Sequence, residues 1–426
     1  MAGKRKGKKG KKGKKESRII DEYQLRRDLR GKAMEDMDEE IGEKLPKEGA
    51  EEVSPEIKIG GIEGGGTYST LVILDRKGDK LIEVKGPGTN HWVLGMEETA
   101  ARINSMIEHS KELLGIPRTI PLDCVGLSLS GCEEETTNNL LTSTLLNEYP
   151  DAAKDYFVSS DTLGSLRTGL ENGGIVLIAG TGSNALLINP DGKTHGCGGW
   201  GYMMGDEGSA YWIAHRACKY VFDDIDDLAK SPHPISYIWP AMRDFFQVKD
   251  RTDMLPHLYS NFDKSKFSMF AKEIALGCEK NDPLCLAIFE ENGRLLARHI
   301  VALFKKAHND LKLCYGGLQV ICVGSVWKSW KFMMEGFMDE IHSGLVIDEL
   351  SLLNLTATSA LGSAYLAAEK INCPFVKPYK ENVQVFFHYK RDNYGKIENE
   401  RQNELTEKRN RYVSCVCARA CLCVYT

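Results

Sequence analysis

From residue 57 onward, short apolar runs end repeatedly in glycine or a hydroxyl residue and give way to stretches with helical three-to-four spacing. Runs at 57–62 and 68–74 predict two strands joined at Glu63-Gly64-Gly65-Gly66-Thr67, with a third near 81–84. Ile103, Met106, Ile107 and Leu113 mark a helix over about 96–114. A strand at 124–129, a helix through residue 146, a strand at 156–158 and a helix from Asp161 complete the order β-β-β-α-β-α-β-α. The order then restarts, with strands at 175–179 and 185–188 joined at Gly180-Thr181-Gly182-Ser183. A strand near 193–196 and a helix over 208–221 follow. After a helical insertion over about 222–310 come a strand at 318–323, a helix from 327, a strand at 345–347 and a helix over 359–369. Two copies of one α/β unit are therefore expected, with little identity between them.

The two hairpin tips carry the candidate chemistry. A polyphosphate is bound by backbone N–H groups, and glycine lets the main chain turn tightly without a Cβ in the way. Thr67, Thr181 and Ser183 would add hydroxyl donors. A single such tip is an ordinary turn, but two in matching contexts point to a clamp. A P-loop is disfavoured, because Gly192-Lys193-Thr194 has Leu187 where the first glycine belongs.

Composition adds a compartment and two extensions. With 426 residues, 42% hydrophobic and 27% charged, the chain has material for more than one domain. No apolar run reaches the ~18 residues of a membrane span, so no membrane partner is expected. The cysteines between Cys124 and Cys373 lie in apolar contexts without framework spacing, which suits reduced core thiols and a cytoplasmic protein. Residues 1–56 read as a disordered leader, basic at Lys4 to Lys15 and acidic from Met34 to Glu52. That leader suits a solubilising tail, nucleic acid, or a nuclear import factor supporting a nuclear pool. The 391–426 tail is charged and then cysteine-rich; Cys415, Cys417, Cys421 and Cys423 form two C-x-C pairs open to a soft metal or lipidation, or part of a plain apolar appendage.

Six blocks carry a family resemblance: residues 61–67, Thr89-Asn90-His91-Trp92, 126–131, Gly180 to Asn184, the run from Gly196 to Trp212, and 322–330. Over about 57–390 the chain resembles the N-acetylglucosamine kinases of the actin, sugar-kinase and Hsp70 superfold. The resemblance implies a two-lobed actin-like (ribonuclease H-like) fold with an inter-lobe cleft. Its lobes would be 57–171, joined by about 371–390, and 172–370 with the insertion. The implied reaction is transfer of the ATP γ-phosphoryl group to the 6-hydroxyl of N-acetylglucosamine, by positioning and charge stabilisation with a carboxylate base. N-acetylmannosamine, another hexose, or a non-catalytic sensor of sugar or nucleotide are the alternatives.

By the same resemblance Asp161 is the base, although its place before a helix also suits an N-cap. Asn90, Asp161, Ser183, Asn184, Gly199, Trp200, Gly201 and Asp206 would bind the sugar. Thr67, Thr181, Ser268, Gly324 and Ser325 would bind ATP, and Glu63 would face Mg²⁺ through water. Tyr68 and Cys132-Glu133-Glu134 depart from the family pattern. The expected partners are a small amino sugar and a second copy of the chain.

Overall fold

The computed structural model describes residues 58–392, so the leader and the C-x-C tail lie outside the described residues. Their strands form two mixed sheets. The first, ordered β3-β2-β1-β4-β5, uses β1 (Ile59–Gly64), β2 (Tyr68–Leu74), β3 (Lys80–Pro87), β4 (Cys124–Leu129) and β5 (Tyr156–Ser160). The second, ordered β11-β10-β9-β6-β7-β8, uses β6 (Gly174–Ala179), β7 (Ser183–Ile188), β8 (Thr194–Gly198), β9 (Leu318–Val323), β10 (Glu349–Leu355) and β11 (Val383–Lys390). In each, an antiparallel hairpin donates its first strand to a parallel run: β1 pairs with β4 and β4 with β5, while β6 pairs with β9 and β9 with β10. The duplicated order expected from the sequence is thus present in the topology.

The two helices that follow the last parallel strands exchange sheets. Helix Asp161–Gly169 leaves β5 of the first sheet, yet Leu166 and Leu170 pack with Val176, Ile321 and Leu353 of the second. Helix Ala360–Lys370 leaves β10 of the second sheet, and Ala360, Ala364, Tyr365 and Ala368 pack with Ile59, Val72 and Cys124 of the first. Where the helices cross, the backbones touch, and a Cβ on Gly362 would collide with the Gly164 carbonyl. Thr168 Oγ1 donates to the Gly164 carbonyl at 2.9 Å and accepts from Gly362 N–H at 3.0 Å. Gly61 and Gly126 have the same duty in β1 and β4, since a Cβ on either would strike the main chain of helix Ala360–Lys370.

This crossing corrects two expected lobe limits. Helix Ala360–Lys370 packs on the first sheet, although 172–370 was assigned to the second lobe. Strand β11 pairs antiparallel with β10, although 371–390 was expected to return to the first. Residues Cys373, Phe375 and Tyr379 do return there. The strand expected at 345–347 is also misplaced: Leu345 has a positive φ of 53° and is 75% exposed, and β10 begins at Glu349.

A fully buried lysine anchors the first lobe. Lys111 Nζ donates to Glu108 Oε1 at 2.8 Å and to the carbonyls of Arg118 and Asp151 at 2.5 and 2.9 Å, so no hydrogen is left unsatisfied. In the second lobe the helices Ala210–Ile225, Pro283–Phe304 and Trp330–Ser343 cover one face of the sheet with a large apolar core.

Candidate active site

The carboxyl ends of the parallel strands carry Glu63, Thr67, Asp161, Thr181, Gly324 and Ser325, where open α/β sheets ordinarily bind ligands. Asn90 follows β3, Gly199 to Asp206 follow β8, and Ser268 lies in a helix of the insertion. After β1 the tip is closed by Gly65 N–H donating to Tyr68 O at 3.1 Å, and Ser130, just past β4, donates its N–H to Gly64 O at 2.8 Å. Gly66 faces open space, and the Thr67 hydroxyl is exposed without a protein partner among the described residues. After β6 the tip is closed by Gly180 N–H donating to Gly182 O at 2.9 Å, and Gly180 also faces open space. The open space beside Gly66 and Gly180 leaves room for an anion at each tip.

The second tip is a junction. Gly324, with φ of 109°, lies so close that a Cβ there would strike Ala179 O, which places Gly324-Ser325 beside Gly180. Ser268 is 3% exposed, and its hydroxyl donates to Lys264 O at 2.7 Å and reaches Thr181 O at 3.5 Å. The structure thus gathers Thr181, Ser268, Gly324 and Ser325 of the expected ATP set. Ser268 enters as a bolt between helix Lys264–Met269 and the tip, with its hydroxyl already engaged.

Among the expected sugar ligands, the second-lobe residues also converge. The Asn184 side chain lies against Gly199, where a Cβ would come within 2.7 Å of Asn184 Oδ1; Gly199 and Gly201 hold φ of 81° and 80°. Asp206 is 3% exposed at φ 64°, a conformation that costs a non-glycine residue energy and needs support. Support comes from Ser183 N–H, which donates to Asp206 Oδ1 at 3.1 Å, and from Lys264, whose Nζ lies 2.7 Å from Oδ2 as an ion pair off the line of a hydrogen bond. Ser183 Oγ donates to Glu207 O at 2.7 Å, so the hydroxyl holds the loop and keeps only acceptor capacity. Trp200 is 82% exposed and makes none of these contacts.

In the first lobe, Asn90 Oδ1 accepts from Trp92 N–H at 3.0 Å and caps a one-turn helix, while Trp92 Nε1–H donates to Gly131 O at 3.1 Å. His91 is buried behind Asn90, its Nδ1 3.8 Å from Cys132 Sγ, and burial lowers its pKa. The same burial pushes the Cys132 thiol up to about 12, so it is no nucleophile.

Asp161 opens its helix at the first position after Ser160, which takes the N-cap place. Its Oδ1 is fully enclosed with no hydrogen-bond partner. Burial, then the charge of Glu133, raises the Asp161 carboxyl to about 7; hydrogen bonding from Thr162 N–H opposes this and the Glu63 charge adds to it. Glu63 is itself raised by burial, against hydrogen bonds from Ser359. Ser359 follows β10, and its Oγ lies 3.0 Å from Ser165 Oγ, so it joins Glu63 and the Asp161 helix across the two sheets. A carboxyl poised near neutrality, with one oxygen enclosed and free of partners, has the properties of a general base.

The residues fit a nucleotide: two glycine tips open to solvent, with a carboxylate beside the first. They fit Mg²⁺ only in a shared role, because no group of three or more His, Cys, Asp or Glu suited to a metal occurs among the described residues. Such an ion would rest largely on phosphate and water.

Four site residues escaped the sequence reading: Lys264, Ser359, Glu133 and Asn292. Asn292 is fully buried in helix Pro283–Phe304 and donates to Gly208 O at 3.2 Å, holding the end of the Asp206 loop from below. Glu133 gave a signal as part of a departure from the family pattern, and Lys264 lay in the local match Phe262-Asp263-Lys264 behind Ser268 without being assigned a role.

Residues 61–347 match the family described as the BadF/BadG/BcrA/BcrD ATPase family. The chain belongs to that ATPase family. Within its range of likenesses, the N-acetyl-D-glucosamine kinase of Dictyostelium discoideum is 25% identical over 332 residues, 74% of this chain and 98% of that protein. The N-acetylmuramic acid/N-acetylglucosamine kinase of Clostridium acetobutylicum is 24% identical over 72% of this chain and 97% of that protein. Among solved structures, a candidate N-acetylglucosamine kinase from Chromobacterium violaceum superposes with a TM-score of 0.58 at 22% identity, covering 73% of this chain and 99% of that one. That superposition shows the actin-like sugar-kinase fold for this BadF/BadG/BcrA/BcrD ATPase family member. The matched range contains both glycine tips, Asp161, Asp206 and Lys264.

Proposed function

We propose that this protein transfers the γ-phosphoryl group of ATP to the 6-hydroxyl of N-acetylglucosamine. Asp161 carries the reading: a carboxyl on the helix that links the two lobes, with Oδ1 enclosed and without a hydrogen-bond partner and with its pKa raised to about 7 by burial. Relatives named as N-acetylglucosamine kinases, matched over nearly their whole length, support the substrate.

In the proposed step the 6-hydroxyl gives its proton to Asp161 as its oxygen attacks the γ-phosphorus; the bond to the bridging oxygen breaks and ADP leaves. The β1–β2 and β6–β7 tips would hold the phosphates, with Thr67 and Thr181 as hydroxyl donors and Gly324-Ser325 toward the nucleoside. Glu63 would orient water on Mg²⁺, which when bound neutralises phosphate charge. Asn90, Asn184, the Gly199–Gly201 turn and Asp206 would hold the sugar, and Asp161 its reacting hydroxyl. The proposal includes a cytoplasmic homodimer, to be checked by sedimentation.

The test is an ADP-release assay over N-acetylglucosamine, N-acetylmannosamine, N-acetylmuramic acid, glucose and glucosamine. The greatest kcat/KM is expected with N-acetylglucosamine. ADP release without sugar dependence removes the kinase reading, and a preference for glucose moves it to a hexokinase.

A further inference from the structure

Lys264 occupies a place that no step above uses. Its Nζ is 2.7 Å from Asp206 Oδ2, on the sugar side of the loop. It also lies 3.1 Å from where a Cβ on Gly182 would stand, directly over the second glycine tip. Its Nζ also lies over the Tyr202 ring, 5.6 Å from the centroid. The two partners differ in setting: the Asp206 side chain is 3% exposed and that of Lys264 31%. One end of the pair is fixed in the core and the other can swing. Helix Lys264–Met269 is held to the tip by Ser268 and capped by Asp263, whose carboxylate accepts from Lys266 N–H at 3.0 Å. The base of the lysine is therefore held in place, while its four-carbon stem, 31% exposed, gives the ammonium room to take another rotamer.

We propose that Lys264 couples the two substrate sites. In the nucleotide-free protein it neutralises Asp206; when a triphosphate occupies the β6–β7 tip the ammonium turns to the phosphates and leaves Asp206 to accept sugar hydroxyls. The inference rests on the proposed placement of phosphate at that tip. A buried carboxylate needs a counter-charge or hydrogen-bond donors, and sugar hydroxyls are donors. Several phosphate charges attract the ammonium more strongly than one carboxylate does. Each ligand then binds more tightly when the other is present, and by the same factor.

Calorimetric titration of adenylyl imidodiphosphate with Mg²⁺, with and without saturating N-acetylglucosamine, tests this on wild type, Lys264→Met and Lys264→Arg. Wild type is expected to bind the analogue about fivefold or more tightly with sugar present, within the usual span of such couplings. Lys264→Met should bind it about tenfold more weakly and equally with or without sugar, whereas Lys264→Arg should restore coupling. Undiminished analogue affinity in Lys264→Met, or retained coupling, overturns the proposal. Lys264→Gln provides the same comparison should the Met variant fail to fold. The titration without sugar separates the two readings: a wild type that does not phosphorylate N-acetylglucosamine removes that substrate, while the effect of Lys264 on nucleotide binding is still read, and coupling is then measured with the sugar that is turned over.

Discussion

At the residue scale the decisive quantity is the protonation of Asp161. With its carboxyl at about 7, kcat/KM is expected to climb with unit slope as pH rises to about 7 and to level above it. Glu133→Gln removes the nearby negative charge that is the second cause of the shift, so the midpoint should move to lower pH with little loss of the plateau. A midpoint that stays put would show that burial alone sets it. Asp161→Asn should lose phosphoryl transfer by orders of magnitude while sugar binding, followed by titration, persists. The stability of that variant is a separate check. A carboxyl raised above its unfolded value stabilises the fold below the unfolded pKa, ~3.9, and that contribution is lost as pH rises toward 7. Asp161→Asn should therefore resist urea better than wild type at pH 8, with the difference vanishing near pH 4. Asp161 was singled out by the family resemblance, since its place between a strand and a helix alone suits an N-cap as well; Glu133 and Ser359 lie in loops distant in sequence, and only folding brings them near.

Among elements, the strands and helices with strong periodicity were legible to within a few residues, including both hairpins and the helix Met96–Leu113. The second-sheet edge was not. Strand β11 exposes half of its residues and buries only Tyr389 fully, so it lacks a clean apolar alternation, and the apolar run 345–347 sits in a loop just before β10. Nor could periodicity reveal that helices Asp161–Gly169 and Ala360–Lys370 trade sheets, since an apolar face does not say which sheet it covers. The seat of helix Ala360–Lys370 on the first sheet depends on glycine in β4. A Cβ on Gly126 would meet the Ser363 carbonyl, with no side chain able to give way. Gly126→Ala should cost about 3 kcal/mol or more, at the upper end of overpacking effects, in denaturant unfolding. It should also raise KM, because Ser359 leads into the displaced helix and hydrogen-bonds Glu63.

For the molecule as a whole, the two lobes share one construction, and the proposed phosphate tips and base lie at the carboxyl ends of their parallel strands. Parallel strands end together on the side where β1, β4 and β5 present Gly64, Ser130 and Asp161, and where β6, β9 and β10 present Gly180, Gly324 and Ser359. In the proposed reading each lobe contributes one phosphate tip and one part of the sugar set, so neither would suffice alone. The relatives match nearly their full length with about three-quarters of this chain, and the family range of 61–347 begins after the basic block and ends before the C-x-C tail. The chemistry should therefore be independent of both extensions. A protein comprising 55–392 is expected to keep kcat and KM for both substrates within about threefold of the full chain, a difference below 1 kcal/mol in transition-state stabilisation. A loss of a hundredfold or more, with unchanged unfolding, would show that one of the extensions reaches the cleft and completes the site, and separate removal of 1–54 and 393–426 would tell which.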